Sequence, residues 1–276
     1  MKNDNFSVEE TSVRRADGTE MLLRIARPTG IGPFPAVIDV HGGGWVSGDR
    51  NQNAVIDDYL ARNGIVAVAP EFRMPPQARY PTPISDILLA MHWLRAEAGN
   101  LGSRPDLVGG VGTSSGGHQL LEAALRPAFQ AYRGEIGPDA DLSLCYLVMC
   151  WPVADPLRRF AHARAMQNQQ LLKSHEMYWP SEADMETGNP QLVLERGLHG
   201  ALPPLLVVQG TADDNLPEDS AERLVKAWQQ GGGSATLELY EGQPHTFVTR
   251  SPDSAESRSA LAAISGFIHA YAPGQC

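Results

Sequence analysis

Two adjacent serines in a glycine-rich stretch, GGVGTSSGGHQ (109–119), are the first candidates for chemistry. The pattern G-x-S-x-G fits only when it is centred on Ser114, since a pattern centred on Ser115 lacks its first glycine. This pattern is typical of a sharp strand-to-helix turn that presents the serine as a nucleophile. A phosphate-binding loop is disfavoured, because G-x-x-x-x-G-K-[ST] read from Gly112 meets His118 where lysine is required. A glycine turn without chemistry is the remaining alternative.

A second glycine stretch, HGGGW (41–45), could stabilise a negative charge that develops on a substrate. Acyl transfer needs backbone N–H donors aimed at the oxygen that becomes negative, and consecutive glycines let a backbone approach a substrate closely. We predict an oxyanion hole formed by the N–H groups of Gly43, Gly44 and Ser115. A flexible turn would be the plain alternative.

A serine nucleophile also needs a base and an acid that orients it. His245, in YEGQPHTF, follows the strand-like run ATLELY, and loops after strands gather at one edge of a parallel sheet. The loop VVQGTADDNLP offers two acids, Asp213 and Asp214, and the residues alone leave both open. Of the other histidines considered, His41 and His118 are predicted to organise structure, and His269, inside the final helix, to be packed or on the surface.

Alternation of apolar runs with segments of helical period predicts an α/β fold, a mostly parallel sheet with helices on both faces. The predicted strands are FPAVIDVHG, GIVAVAPEF, LVGGVGTS, LSLCYLVMC, LPPLLVVQG and ATLELYEG. Two further runs around ADG predict an N-terminal antiparallel hairpin. Predicted helices are TPISDILLAMHWLRAEAGN with Thr82 as N-cap, PEDSAERLVKAWQQGGG, and the tail SAESRSALAAISGFIHAYA.

Residues 155–198 interrupt this alternation and are too long for a plain loop, so we predict an inserted helical lid within a single domain of residues 1–276. Aromatic residues are expected to contact the substrate, although core packing explains any one of them equally well. The predicted pocket residues are Trp45, Trp151, Tyr178 and Trp179, with Met177 and Met185 in the lid.

The net charge of −10 argues against nucleic acid or an anionic membrane as a partner. The start MKNDNFSVEE lacks the apolar segment of a secretory signal, and the longest apolar run, LCYLVMCWPVA, is too short to cross a bilayer. Three cysteines form neither an even set nor a metal-binding C-x-x-C pair. We therefore predict a cytoplasmic protein without stable membrane association, cofactor or metal. For its oligomeric state, a homodimer is the hypothesis.

At these residues the chain resembles the α/β-hydrolase superfamily and, within it, the hormone-sensitive-lipase-like esterases. HGGGW and GTSSGG match the oxyanion and nucleophile motifs of that family, EFRMPPQARYPTPISDILLAMHWL its connecting segment, and YEGQPHTF its histidine loop. The resemblance implies Ser114 as nucleophile, His245 as base, and Gly43, Gly44 and Ser115 as oxyanion donors. The acid loop lacks the family's usual Asp-Pro pair, but the related D-x-x-V-P pattern of many α/β hydrolases falls on residues 213–217, which implies Asp213 as the acid and Asp214 as the reserve.

The sequence also departs from the family. Thr113 and Ser115 replace the acid and the small apolar residue of its usual G-D-S-A-G. Only about forty residues precede His41, so we expect the family's N-terminal cap helices to be absent. The resemblance implies a cofactor-independent hydrolase of small carboxylic esters, with short- to medium-chain or aryl groups. An amidase, arylformamidase or peptidase with the same triad is the alternative, and a non-catalytic ligand-binding protein a more remote one.

Overall fold

The apolar runs of the sequence form the centre of the molecule in the computed structural model, which describes residues 5–134 and 136–272. Within them, eight strands form one sheet. They are β1 (Phe6–Arg14), β2 (Glu20–Pro28), β3 (Ala36–Val40), β4 (Val66–Pro70), β5 (Val108–Thr113), β6 (Leu147–Cys150), β7 (Leu205–Gly210) and β8 (Ala235–Tyr240). The order across the sheet is β1-β2-β4-β3-β5-β6-β7-β8. β1, β2 and β4 pair antiparallel and all other neighbours parallel, which confirms the predicted hairpin and the parallel sheet.

Helices connect the strands and cover both faces of the sheet. They are α1 (Ala54–Arg62), α2 (Thr82–Glu97), α3 (Ser115–Leu125), α4 (Gln130–Arg133), α5 (Pro156–Ala165), α6 (Gln169–Tyr178), α7 (Glu182–Thr187), α8 (Pro190–Glu195), α9 (Ser220–Gln230), α10 (Phe247–Arg250) and α11 (Ala255–Tyr271), with a short 3₁₀ turn at Pro105–Leu107. The predicted N-cap of α2 is wrong by one residue. Pro81 is the N-cap and Thr82 is already helical, so the threonine side chain does not cap the helix.

The sheet is buried on both sides because successive strand residues point to opposite faces. On β3, Ile38 belongs to the apolar cluster on one face, whereas Val37 belongs to the cluster on the other. The first face is covered by α2, α3 and α9, and the second by α1 and α11. This arrangement confirms the predicted α/β fold and leaves the carboxyl ends of the parallel strands as an edge where loops meet.

The segment 155–198 between β6 and β7 contains the four helices α5 to α8. Each begins where a polar side chain accepts a hydrogen bond from a backbone N–H three residues later, as expected for an N-cap. The four capping residues are Asp155, Asn168, Ser181 and Asn189. The segment is therefore helical, while its movement as a lid stays a prediction.

Candidate active site

Ser114 occupies the sharp turn between β5 and α3. Its backbone has φ 51° and ψ −118°, a conformation that costs energy for any residue with a side chain. The two glycines of G-x-S-x-G are explained by close approach. A Cβ on Gly116 would lie 2.1 Å from the carbonyl oxygen of Val40, and one on Gly112 would lie 2.8 Å from the Cα of Gly117. The pattern at 112–116 is therefore a packing requirement of this turn.

A chain of hydrogen bonds joins Ser114 to His245 and Asp213. The Ser114 Oγ lies 2.9 Å from His245 Nε2, and His245 Nδ1 lies 2.7 Å from Asp213 Oδ2. Because the carboxylate accepts the Nδ1 proton, Nε2 is free to accept the serine proton. The side chain of Asp214, by contrast, is exposed, and its backbone carbonyl lies 3.1 Å from His162 Nε2. Of the two acids left open by the residues alone, only Asp213 reaches the histidine.

The loops after β7 and β8 carry the acid and the base, and they bind each other through their backbones. The N–H of Thr211 donates to the carbonyl of Tyr240, and the N–H of Ala212 donates to that of Gln243, both at 3.0 Å. A Cβ on Gly210 would lie 2.2 Å from the Gln243 carbonyl oxygen, so the two loops are in close contact. These contacts fix the distance between acid and base.

The carboxylate of Asp213 is held in its ionised form. Burial alone would raise its pKa, but hydrogen bonds outweigh that effect and leave the pKa of Asp213 below its ordinary value. The donors are the His245 ring, the Gln209 amide at 2.9 Å and the backbone N–H of Asn215 at 2.8 Å. An ionised acid at this place favours a protonated histidine during turnover.

The glycine loop places free backbone donors beside the serine. Gly43 and Gly44 have φ of 107° and 63° and line the same cavity as Ser114. No acceptor among residues 5–134 and 136–272 takes their N–H groups. Ser115 is the first residue of α3, and its Oγ accepts the N–H of Trp45 at 3.0 Å. This hydroxyl, where the family has a small apolar residue, connects the glycine loop to the turn.

A cavity of about 410 Å³ opens beside Ser114 and His245. Its walls come from the glycine loop, the acid and histidine loops, and the helices α5 and α6. Besides the serine and the histidine, its lining consists of Gly43, Gly44, Val46, Ser47, Gln52, Arg159, Gln170, Leu171, Lys173, Ser174, Met177, Asn215 and Thr246. Most of these residues are polar, and of the predicted lid residues Met177 is present.

The four aromatic residues predicted to contact substrate do not line this cavity. Trp45, Trp151, Tyr178 and Trp179 are at most 2% exposed. The rings of Trp45 and Tyr178 stack with centroids 5.3 Å apart, and Trp151 packs edge-on against His245 at 6.4 Å. Large aromatic rings gain most from full burial, and here they support the loops from behind. Met185 is likewise part of the core.

His118, predicted to be structural, is buried among these aromatic rings. Its Nδ1 lies 3.1 Å from the indole Nε1 of Trp45, which can only donate, so the proton of His118 is on Nε2 and donates to the Gly188 carbonyl at 2.8 Å. Burial lowers the pKa of His118 to about 4. His41 stacks on Phe72 at 4.4 Å, also away from the chemistry.

Arg159 is a residue of the cavity that the sequence did not reveal. It lies on α5, and its Nε and Nη2 donate to the Asn215 side-chain oxygen at 3.1 and 2.6 Å. Burial lowers the pKa of Arg159 to about 10, and the Asp213 carboxylate opposes that shift, so the guanidinium is charged at neutral pH. DPLRRF contains two adjacent arginines, and the sequence offers no signal that separates the buried one from the exposed one.

The described residues also bear on metals and membranes. Residues 5–134 and 136–272 contain no group of three or more His, Cys, Asp or Glu side chains that could hold a metal ion. In the same part of the chain, each helix is too short or too polar to span a bilayer.

Comparison with known proteins places this geometry in a family. Residues 37–249 match a family model described as alpha/beta hydrolase fold. Esterase LipC of Mycobacterium tuberculosis is 28% identical over 195 residues, which cover 70% of this chain and 48% of that protein. The ethyl acetate hydrolase of Pseudomonas putida is 26% identical over 251 residues, covering 87% and 76%. The chain spans about half the length of the first curated relatives it matches.

Solved structures support the same fold. An esterase from the archaeon Pyrobaculum calidifontis superposes with a TM-score of 0.80 at 24% identity, covering 97% of this chain and 87% of the other. Since the family match spans well over half of the chain, the protein belongs to the hormone-sensitive-lipase-like family of the alpha/beta hydrolase fold.

Proposed function

We propose that the protein is a serine hydrolase that cleaves carboxylic esters through an acyl-enzyme on Ser114. The observation that carries this proposal is the hydrogen-bonded chain from Ser114 through His245 to Asp213, which opens onto a cavity with free backbone donors. Relatives named esterase and ethyl acetate hydrolase support the ester class.

In the first half of the reaction the Ser114 Oγ attacks the acyl carbon while its proton passes to His245 Nε2. The imidazolium that forms is stabilised by the Asp213 carboxylate at 2.7 Å. Negative charge that develops on the carbonyl oxygen is met by the N–H groups of Gly43, Gly44 and Ser115. His245 then returns the proton to the leaving alcohol.

In the second half a water molecule attacks the acyl-enzyme. His245 takes the proton of this water, and the same backbone donors stabilise the second oxyanion. Collapse of this intermediate releases the acid and restores the serine hydroxyl.

The cavity favours small substrates. Its volume of about 410 Å³ and its walls of mixed polar and apolar character fit short- to medium-chain or small aryl esters. Residues from α5 and α6 form one wall, so the segment 155–198 covers the site and contributes to its selectivity.

Turnover by matched variants tests the proposal. The substrates are p-nitrophenyl acetate, butyrate and decanoate, together with p-nitroacetanilide and an aryl formamide. We expect rapid cleavage of the short esters and a loss on the order of 10⁴-fold or more in Ser114→Ala. Ser12→Ala, at an exposed position on the edge strand β1, is the control and should keep wild-type turnover.

The outcomes separate the candidate activities. Cleavage of the anilide or formamide without cleavage of esters would keep the triad and replace the ester class by an amidase or arylformamidase. Turnover of esters by Ser114→Ala would overturn the nucleophile. Inactivity on all substrates, with no labelling of Ser114 by an active-site phosphonate, would favour the ligand-binding alternative.

The compartment, the partners and the oligomeric state of the protein are predictions from its sequence. We propose a cytoplasmic enzyme that acts on a small-molecule ester, without nucleic acid or stable membrane association and without a cofactor. A homodimer remains the assembly to be tested by light scattering.

A further inference from the structure

A buried arginine in the wall of the candidate active site lacks an acidic partner. Arg159 is only 2% exposed and lines the cavity beside Ser114. Within residues 5–134 and 136–272 it forms no salt bridge, whereas the adjacent Arg158 pairs with Asp219 at 2.9 Å. Buried charges in proteins are nearly always paired, so an unpaired one needs an explanation.

Neutral groups hold the guanidinium in place. Nε and Nη2 donate to Asn215 Oδ1, Nη1 donates to His175 Nε2 at 3.2 Å, and the central carbon lies 5.2 Å from the centroid of the Trp45 ring. Each terminal nitrogen of arginine carries two hydrogens. One N–H on Nη1 and one on Nη2 are therefore left without a protein acceptor in the described part of the chain.

The surrounding cavity is positive. Its described lining includes Arg159 and the exposed Lys173 of α6 but no aspartate or glutamate. The Asp213 carboxylate attracts the Arg159 guanidinium through its charge but forms no salt bridge with it, and it already accepts hydrogen bonds from His245, Gln209 and the Asn215 N–H. A buried cation without a hydrogen-bonded anionic partner costs free energy, and a bound anion would offset that cost.

We infer that the ester cleaved by this protein carries a carboxylate, which Arg159 binds with its two remaining N–H groups while Lys173 adds positive charge at the exposed side of the cavity. The planar fork of a guanidinium fits a carboxylate through two parallel hydrogen bonds. This inference rests on the proposed hydrolase activity and names its substrate class.

Arg159 also connects α5 to the acid loop, because Asn215 accepts from Arg159 and donates its own N–H to Asp213 at 2.8 Å. If that connection were its whole role, replacing Arg159 would lower turnover of charged and uncharged esters by the same factor. If it binds a carboxylate, the loss is larger for charged esters. The ratio of the two rates distinguishes these roles.

Two matched substrate pairs measure that ratio. Monoethyl glutarate and its monoamide carry a carboxylate or an uncharged isostere on the acyl side, and 4-acetoxybutanoate and its amide carry them on the alcohol side. We expect wild type to have a higher kcat/KM for the carboxylate member of at least one pair. Arg159→Gln should reduce the carboxylate-to-amide ratio by about 10- to 100-fold. Lys173→Gln should reduce it by up to about fivefold, and Arg158→Gln should leave it unchanged.

The contradicting results are distinct from those that concern the hydrolase activity. Equal kcat/KM for both members of both pairs in wild type, or an equal loss for both in Arg159→Gln, would overturn the inference while ester cleavage stands. If Arg159→Gln does not fold, the wild-type preference and Lys173→Gln decide. If no ester is cleaved at all, calorimetric titration of wild type with glutarate and with glutaramide decides, and equal binding or none overturns the inference.

Discussion

At the scale of single residues, the neighbouring carboxylates Asp213 and Asp214 have opposite surroundings. Asp213 accepts hydrogen bonds from a ring, an amide and a backbone N–H, whereas Asp214 is exposed. The acid of the triad, Asp213, is therefore the same residue type as its neighbour Asp214 and differs from it only in its position in the loop. The loop residues by themselves leave both acids open, because a shift of one residue would exchange the two, and it is the family resemblance that assigns the role to Asp213.

Asp213→Asn should lower kcat by roughly 10³- to 10⁴-fold, since an amide neither fixes the Nδ1–H tautomer of His245 nor stabilises its cation. Asp214→Asn removes the same charge one residue later and should keep kcat within about twofold, as expected for an exposed position. Turnover of p-nitrophenyl acetate measures both. Comparable losses in the two variants would mean that the acid loop adopts another arrangement.

The roles of single residues could be predicted where a local sequence pattern determines the geometry. They could not be predicted where the geometry depends on how separate elements pack. Ser114 and His245 follow from the elbow pattern and from the order of strand ends. The buried position of Arg159 depends on how α5 lies against the acid loop, which no local pattern specifies. The aromatic residues expected in the pocket are instead buried behind it. The sequence does not indicate on which side of a loop an aromatic ring lies, so this difference could not be predicted.

At the scale of elements, the elbow depends on the close approach of α3 to the end of β3. A Cβ on Gly116 would lie 2.1 Å from the Val40 carbonyl oxygen and 2.2 Å from that of His41. The glycine loop begins directly after this strand end, so any separation of α3 from β3 would also move the oxyanion donors relative to Ser114.

Gly116→Ala should therefore destabilise the protein on the order of 3 kcal/mol and lower kcat, because the new methyl group would clash with the backbone oxygens of Val40 and His41. Gly266→Ala is the matched control. It lies in α11 with no atom within 4 Å of the added carbon, and it should gain up to about 1 kcal/mol from helix propensity. Urea unfolding measures both changes. Equal stability of the two variants would contradict the close approach at the elbow.

The elements themselves were largely predictable. Six parallel strands follow from apolar runs between turn residues, and the hairpin follows from ADG. β6 is shorter than its apolar run, beginning at Leu147 although the run starts at Leu142. The segment 155–198 was predicted to be helical. Its division into four helices could not be predicted, because the Asp, Asn and Ser residues that cap them are common in loops as well.

At the scale of the whole molecule, charge is distributed unevenly. The chain has a net charge of −10, yet the described lining of the catalytic cavity carries two cations and no carboxylate. The overall charge disfavours anionic ligands only on average, since a buried site is shielded from most of the surface. Composition could therefore argue against nucleic acid as a partner, which stays a prediction, but it could not reveal the charge of this cavity.

Stability is also a property of the whole molecule, and buried titratable groups determine how it varies with pH. Burial holds the pKa of His118 at about 4 in the folded protein, below an ordinary value of about 6.5, and also lowers that of His175. As pH falls below about 6.5, both histidines bind protons in the unfolded chain but not in the folded protein, so they reduce the free energy of unfolding. Burial raises the pKa of Asp39 and Asp57, which acts in the opposite direction.

A comparison of wild type with His118→Gln isolates one of these contributions from the rest. Between pH 7 and pH 5, His118 should cost wild type about 2 kcal/mol that the glutamine variant does not lose. The variant should be less stable than wild type at pH 7, because glutamine cannot keep both the Trp45 and the Gly188 hydrogen bonds, and the difference should shrink at pH 5. Urea unfolding at the two pH values measures this. Parallel curves for the two proteins would mean that His118 becomes protonated without unfolding and that its surroundings admit water.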